Sequence, residues 1–207
     1  METSDVNKNQ PELLKSEILG EVLFPSTVIQ GKIAELGRAI TEDYKGKYPI
    51  LISVLRGGVF FLSDLVRKID LEISVDFIGI STYQFEDSAM TGVVKITKDL
   101  EEPVENKDII IVEDIIDTGL TISYLLRNLK SRYPKSVEIC TLLDRNTRRI
   151  ADINIKYTGF TIGDEFVVGY GLDYKQKYRN INSIYHLNLD TIKKDLEIVK
   201  NNSSDNK

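Results

Sequence analysis

The 207-residue sequence contains one cysteine, Cys140, one histidine, His186, and no tryptophan. A single thiol forms no intramolecular disulfide, and Cys140 stands inside an apolar run, the setting of a reduced core residue. With one histidine and one cysteine, a zinc cluster, a Cys–His pair or a His-based triad has little support. His186 is followed by Leu187 and Leu189 on a late strand or extended tail, far in sequence from the polar turns described below, so it reads as a core-edge or surface residue. If the chain is a catalyst, its chemistry falls to carboxylates and a hard cation. No apolar segment reaches the roughly 18 residues expected of a membrane span. Met1 to Gln10 is polar and lacks the apolar centre of a secretory signal. The expected setting is cytoplasmic, without a membrane partner.

An excess of positive charge is also missing. Lys and Arg number 27 against 32 Asp and Glu, a formal charge of -5, which argues against a chain that coats nucleic acid and leaves room for a local cationic pocket. The 42% hydrophobic and 29% charged fractions are those of an ordinary globular protein, and the length suits one domain with at most a small lobe. Residues 1–10 are short of large apolar groups and 201–207 are all polar, so both are expected to be disordered tails around a single domain at 11–200.

Ser26 is positioned to cap a helix reaching about Tyr44, with Ile29, Ile33, Leu36 and Ile40 on one stripe. Pro49 to Leu55 is a continuous apolar run, the pattern of a strand buried on both faces. A helix is expected after Arg56-Gly57-Gly58, a strand over Ile73 to Ile80, and a loop from Tyr83 to Gly92 returning as an extended arm over Val93 to Thr97. A buried strand at 108–113, a helix at 119–132 and a strand from Val137 to Leu143 follow. Short strands around Lys156 to Phe160 and Phe166 to Val168 suggest a small appended lobe. Strands alternating with helices predict an α/β fold: an open, mostly parallel sheet flanked by helices. Ligands of such sheets sit beyond the carboxyl ends of the strands, where the turns at Arg56, Glu113 and Asp144 fall.

The densest chemistry lies in Val112-Glu113-Asp114-Ile115-Ile116-Asp117-Thr118-Gly119-Leu120-Thr121. Glu113 and Asp114 project to opposite faces of a strand, and at its end both could engage a diol or part of a Mg²⁺ shell. Gly119 lets backbone N–H groups converge, Thr118 and Thr121 add hydroxyls, and the new helix supplies unpaired N–H groups, which together make an anion site. An Asp N-cap beside two surface acids is the bland alternative; it requires three acids next to a buried strand to be incidental. Arg56-Gly57-Gly58 could fork onto phosphate oxygens, or be only a turn into a helix. In Phe166-Val167-Val168-Gly169-Tyr170-Gly171-Leu172-Asp173-Tyr174 an exposed aromatic could stack on a planar base and Asp173 could hold a metal, or the run is a buried bend. Arg179 is a phosphate ligand or a solvated side chain.

These segments, with Leu55-Arg56-Gly57-Gly58, Ser81-Thr82-Tyr83, Lys95 to Leu100 and Tyr178-Arg179-Asn180, resemble type I phosphoribosyltransferases, and among them the hypoxanthine-guanine phosphoribosyltransferase family, in the family's order from about Leu14 to Leu189. The resemblance implies transfer of a 5-phosphoribosyl group from phosphoribosyl diphosphate to N9 of a 6-oxopurine, with Mg²⁺, in a homodimer or homotetramer, on a fold with a small hood built by the terminal segments and a mobile lid. It implies that Glu113 and Asp114 face the ribose hydroxyls with Mg²⁺ nearby, and that Asp117 is the acid/base group at purine N7. Thr118, Gly119, Leu120 and Thr121 would cradle the 5′-phosphate. Arg56 and Gly57 would form a pyrophosphate loop with a cis bond, and Arg179 would also face pyrophosphate. Asp173 would bind a second Mg²⁺. Phe166 would stack on the base and the Val167 backbone would read its edge. Thr82 and Tyr83 would belong to the lid.

Three departures stand out. Arg145 replaces the usual Lys that donates to the 6-oxo group, and the two are not interchangeable. Ile162-Gly163-Asp164 replaces Ile-Pro-Asp, which should loosen that turn. Phe85-Glu86-Asp87 brings acids into the lid. Hypoxanthine and guanine are the leading substrates, with xanthine as the alternative. A regulator that keeps the fold to sense a nucleotide while binding RNA or DNA would need a basic stripe, against which the net acidity argues.

Overall fold

The computed structural model describes residues 12–83, 93–191 and 193. The tails expected at 1–10 and 201–207, and the lid residues Phe85, Glu86 and Asp87, lie outside them. In chain order the strands and helices are β1 (Leu19–Phe24), α1 (Ser26–Asp43), β2 (Ile50–Leu55), α2 (Gly58–Val66), β3 (Ser74–Tyr83), β4 (Val93–Lys98), β5 (Asp108–Ile116), α3 (Leu120–Lys130), β6 (Ser136–Asp144), β7 (Tyr157–Thr161), β8 (Val167–Val168) and β9 (Ile184–Leu187). The described residues fall into two compact units, one drawn from 27–164 and one from the terminal segments up to 26 and from 165 onward.

The larger unit holds a six-stranded sheet in the order β4-β3-β2-β5-β6-β7. Only β4 runs antiparallel, against β3; every other neighbouring pair is parallel. The uninterrupted apolar runs are explained by this burial: Ile109, Ile110, Ile111 and Val112 are all at 0% exposure, so both faces of β5 are covered. Ile109 and Ile111 pack with Ile50, Ile52 and Val54 of β2 and with Ile122, Leu125 and Leu129, the inward stripe of α3. Each such isoleucine removes enough apolar surface to contribute about 1.5–3 kcal/mol. The α1 stripe Ile29, Ile33, Leu36 and Ile40 is buried as its spacing predicts.

The strand near Lys156 to Phe160, expected in an appended lobe, is instead β7, the edge of the large sheet, paired in parallel with β6. Its own residues are only partly apolar because an edge strand has one neighbour. The arm over β4 is a true strand, tied at its base by Asp76. That buried carboxylate accepts from the N–H groups of Phe77 at 2.7 Å, Glu101 at 2.8 Å and Glu102 at 3.4 Å, and lies 3.6 Å from Lys98 Nζ. Burial opposes its charge, but these donors outweigh burial and hold the carboxyl below the ordinary range.

The smaller unit is a three-stranded antiparallel sheet, β1-β9-β8. Its core gathers Val168, Tyr178 and Ile181 with Leu14, Ile18, Leu19 and Tyr185. Strand β1 has no counterpart in the sequence pattern, because Gly20 and Glu21 break the alternation that would mark it. No helix among the described residues is long and apolar enough to cross a membrane.

Candidate active site

From β2 the chain crosses to β3 on one side of the sheet, while β5 leads to β6 and β7 on the other. The adjacent strands β2 and β5 therefore flank a topological switch point, and the crevice beyond their carboxyl ends is the place where open α/β sheets receive ligands. Arg56-Gly57 and the Glu113 to Thr121 segment stand at those ends.

Arg56 is exposed, and the peptide bond preceding it, Leu55–Arg56, is cis. The cis bond expected within Arg56-Gly57 is thus one residue earlier, at the strand exit itself. Gly57 is required by close approach: a Cβ there would stand 1.7 Å from Asp114 Oδ2, so the Gly57 backbone and the Asp114 carboxylate share one surface.

On β5 the alternation of side chains separates Glu113 from Asp114. Glu113 is buried; burial first, and the neighbouring Asp114 carboxylate second, push its carboxyl well above the usual range. Asp114 is half-buried, and its Oδ1 accepts the Ile115 N–H at 2.8 Å. Three residues on, Asp117 leaves the strand and meets Arg145, which leaves β6. Arg145 Nη1 donates to Asp117 Oδ2 at 3.0 Å and its Nε to the Gly163 carbonyl at 3.1 Å. The guanidinium is buried, whereas Asp117 is about a third exposed. The second carboxylate oxygen of Asp117, Oδ1, is buried without a hydrogen-bond partner among the described residues, an acceptor left for something else.

The register explains this meeting: Ile116 pairs with Asp144 in the parallel β5–β6 ladder, and the Arg145 N–H bonds the Ile116 carbonyl at 2.9 Å. The turn at Ile162-Gly163-Asp164, expected to be loose, is held at several points. Besides the Gly163 contact, Asp164 Oδ1 accepts from Thr147 Oγ1 and Arg148 Nε, each at 2.9 Å, and these two bonds lower its carboxyl pKa.

Thr118, Gly119, Leu120 and Thr121 form the turn into α3. Gly119 is left-handed, with φ +77°, and caps the helix. Leu120 is exposed, and its N–H lies 3.4 Å from Thr118 Oγ1. The outer wall of this turn is Arg149, a residue that sequence reasoning passed over as one of several arginines in a polar turn. Its Nε donates to the Asp117 carbonyl at 3.0 Å, and its Nη2 bonds Asp144 Oδ1.

In the smaller unit Phe166 is 46% exposed while Val167 is buried in β8. Arg179 and Asp173 are brought together, Nη2 to Oδ1 at 2.6 Å. Arg179 also donates to the Gly171 carbonyl at 2.6 Å, and Asp173 Oδ2 accepts the Gln176 N–H at 2.8 Å. Left-handed backbone at Gly169, Tyr170 and Gly171 folds this segment into a tight bend. Thr82 and Tyr83, expected on a lid, are the last residues of β3 and pair with Val94 and Val93 of β4.

Among the described residues no three His, Cys, Asp or Glu side chains converge as a ready cation cage. The donor set nevertheless suits Mg²⁺, which prefers one or two carboxylates together with water and substrate oxygens. Asp114, half-buried at the strand end, offers a hard oxygen, while Glu113 behind it is a carboxyl whose charge burial opposes. Asp173 has both oxygens engaged, so a cation there would exchange with Arg179.

The phosphoribosyl transferase domain family matches residues 26–175. The chain is 43% identical over 188 residues to a hypoxanthine-guanine phosphoribosyltransferase of Mycobacterium avium, covering 88% of this chain and 92% of that protein. A solved hypoxanthine phosphoribosyltransferase of Staphylococcus aureus superposes with TM-score 0.83 at 44% identity, over 88% of this chain and 98% of the other. A hypoxanthine-guanine-xanthine phosphoribosyltransferase superposes with TM-score 0.73 at 39% identity, over 83% and 99%.

Proposed function

The chain belongs to the type I phosphoribosyltransferases, in the hypoxanthine-guanine phosphoribosyltransferase family, and from that membership we propose that it transfers the 5-phosphoribosyl group of phosphoribosyl diphosphate to N9 of hypoxanthine or guanine. It is a pentosyl-transferring enzyme; the products under this reading are IMP or GMP and pyrophosphate. The observation that carries the reading is the Asp117–Arg145 pair at the switch point, a carboxylate and a guanidinium side by side. A 6-oxopurine presents the complementary edge, with N7 for the carboxylate and O6 for the guanidinium.

Asp117 manages the proton at N7 as C1′ is attacked, so that charge does not build on the base. Its partnerless Oδ1 is the oxygen available for that bond. Arg145 donates to O6. Thr118 to Thr121 hold the 5′-phosphate with backbone N–H groups and hydroxyls. Glu113 and Asp114 accept from the ribose hydroxyls, and Arg56, Gly57 and Arg179 face pyrophosphate. Phe166 supplies a stacking face, and the Val167 backbone reads the base edge. Glu113, Asp114 and Asp173 would hold Mg²⁺, which lowers the charge on the leaving pyrophosphate. Thr82 and Tyr83 bound a lid that excludes water. The enzyme works in the cytoplasm as a homodimer or homotetramer, without nucleic acid.

Xanthine is the second reading. It is favoured by Arg145, whose planar fork differs from the lysine usual at that position. A panel of hypoxanthine, guanine, xanthine and adenine with phosphoribosyl diphosphate and Mg²⁺, followed by pyrophosphate release, separates the readings. Activity confined to xanthine would select the second; no activity with any base would leave a nucleotide-sensing regulator.

A further inference from the structure

The geometry points to Arg149 as the residue that orients the peptide planes of the phosphate turn, an inference that rests on the function proposed above. A trans peptide is planar, so its C=O and the following N–H point in opposite directions. The Asp117 carbonyl is held by Arg149 Nε at 3.0 Å. The N–H of Thr118, on the same plane, must therefore face away from Arg149. The next plane is fixed likewise, because the Thr118 carbonyl accepts from the N–H groups of Ile150 at 2.9 Å and Ala151 at 3.0 Å. The Gly119 N–H is thereby turned the same way. Among the described residues neither the Thr118 nor the Gly119 N–H has a protein acceptor. Two consecutive donors thus face away from the 149–151 wall, on the side left to the phosphate, without reorganisation when it arrives.

Arg149 can fix this arrangement because it is itself fixed. Its Nη2 is anchored on Asp144 Oδ1 at the end of β6, and both side chains are mostly buried, at 18% and 16% exposure. Its aliphatic stem occupies the space a side chain at residue 119 would need, with Cδ 2.9 Å from where a Cβ would stand. Lysine could reach one acceptor but lacks the second donor arm of the fork. Arg149 touches neither base nor ribose under the proposed function, so it is a positioning residue that acts through the turn.

The test is calorimetric titration of the full chain with IMP and with inosine, which differ only by the 5′-phosphate. In R149Q the affinity for IMP should fall about tenfold or more while that for inosine stays within about twofold, since only the phosphate donors lose their aim. R149K should recover part of the loss. A folded R149Q that binds IMP within about twofold of wild type overturns the inference, as does an equal loss for both ligands, which marks a general structural role. Should R149Q not fold, D144N decides: IMP binding weakened about threefold or more with inosine unchanged supports the anchor, and unchanged IMP binding overturns it. A wild-type chain that binds no IMP would instead refute the proposed function.

Discussion

Arg145 and Asp117 stand 28 residues apart in sequence and 3.0 Å apart in space, the guanidinium buried and the carboxylate partly open to solvent. Their bond uses Asp117 Oδ2 and leaves Oδ1, buried and without a partner among the described residues, to a base under the proposed function. Exchanging Arg145 for lysine removes the planar fork that spans Asp117 and Gly163. We expect R145K to lose about 1–2 kcal/mol of stability and to change the ratio of kcat/KM between hypoxanthine, guanine and xanthine. Chemical denaturation and the base panel check the two parts; an unchanged base ratio would remove Arg145 from base selection.

Asp117→Asn keeps the shape and removes the acid/base group. Turnover should fall about 10²-fold or more, the usual scale of a positioned proton carrier, while nucleotide binding is largely retained. Steady-state rates beside a titration with IMP measure both, and wild-type-like turnover would reject the role.

Gly119→Ala puts a Cβ on a backbone at φ +77° and within 3.1 Å of both Arg149 Cδ and Ile153 Cδ1. The left-handed conformation costs a non-glycine residue about 1–2 kcal/mol before any crowding, equivalent to a Tm lower by roughly 4 °C. Scanning calorimetry gives the shift, and an unchanged Tm would mean that the turn relaxes freely.

Asp76 gives the chain an acid-sensitive component. Its carboxyl is lowered in the folded state, so its ionised form contributes stability above the unfolded pKa of about 3.9, and that contribution is lost as pH falls below it. Urea midpoints at pH 7 and pH 3 should differ less in D76N than in wild type. An equal pH response in the two proteins would exclude Asp76 from acid unfolding.

Removal of Mg²⁺ with a chelator should abolish transfer, with activity restored by adding the ion back. A chelator-insensitive rate would exclude the metal role given to Glu113, Asp114 and Asp173.

Strands β2 and β5 are legible in the sequence because a strand covered on both faces needs an unbroken apolar run. The two-residue Arg56-Gly57 turn and the acids after Val112 are legible because they interrupt such runs. The Asp117–Arg145 and Asp117–Arg149 contacts are not, since they depend on the register of two parallel strands separated by a helix. Edge strands hide for a related reason: β7 and β1 bury too little to impose a period, so the pattern does not assign β7 to the large sheet and gives no sign of β1. The cis bond at Leu55–Arg56 leaves no mark on composition or spacing.

The contact between Gly57 and the Asp114 carboxylate has an evolutionary corollary. Any side chain at 57 would occupy the volume of Oδ2, so the first turn of the sheet and the acid on its third parallel strand form a single heritable unit. Drift at position 57 is closed while Asp114 keeps its rotamer. Related chains that carry a larger residue at 57 should therefore be those in which the acid at 114 has been shortened, turned away or lost.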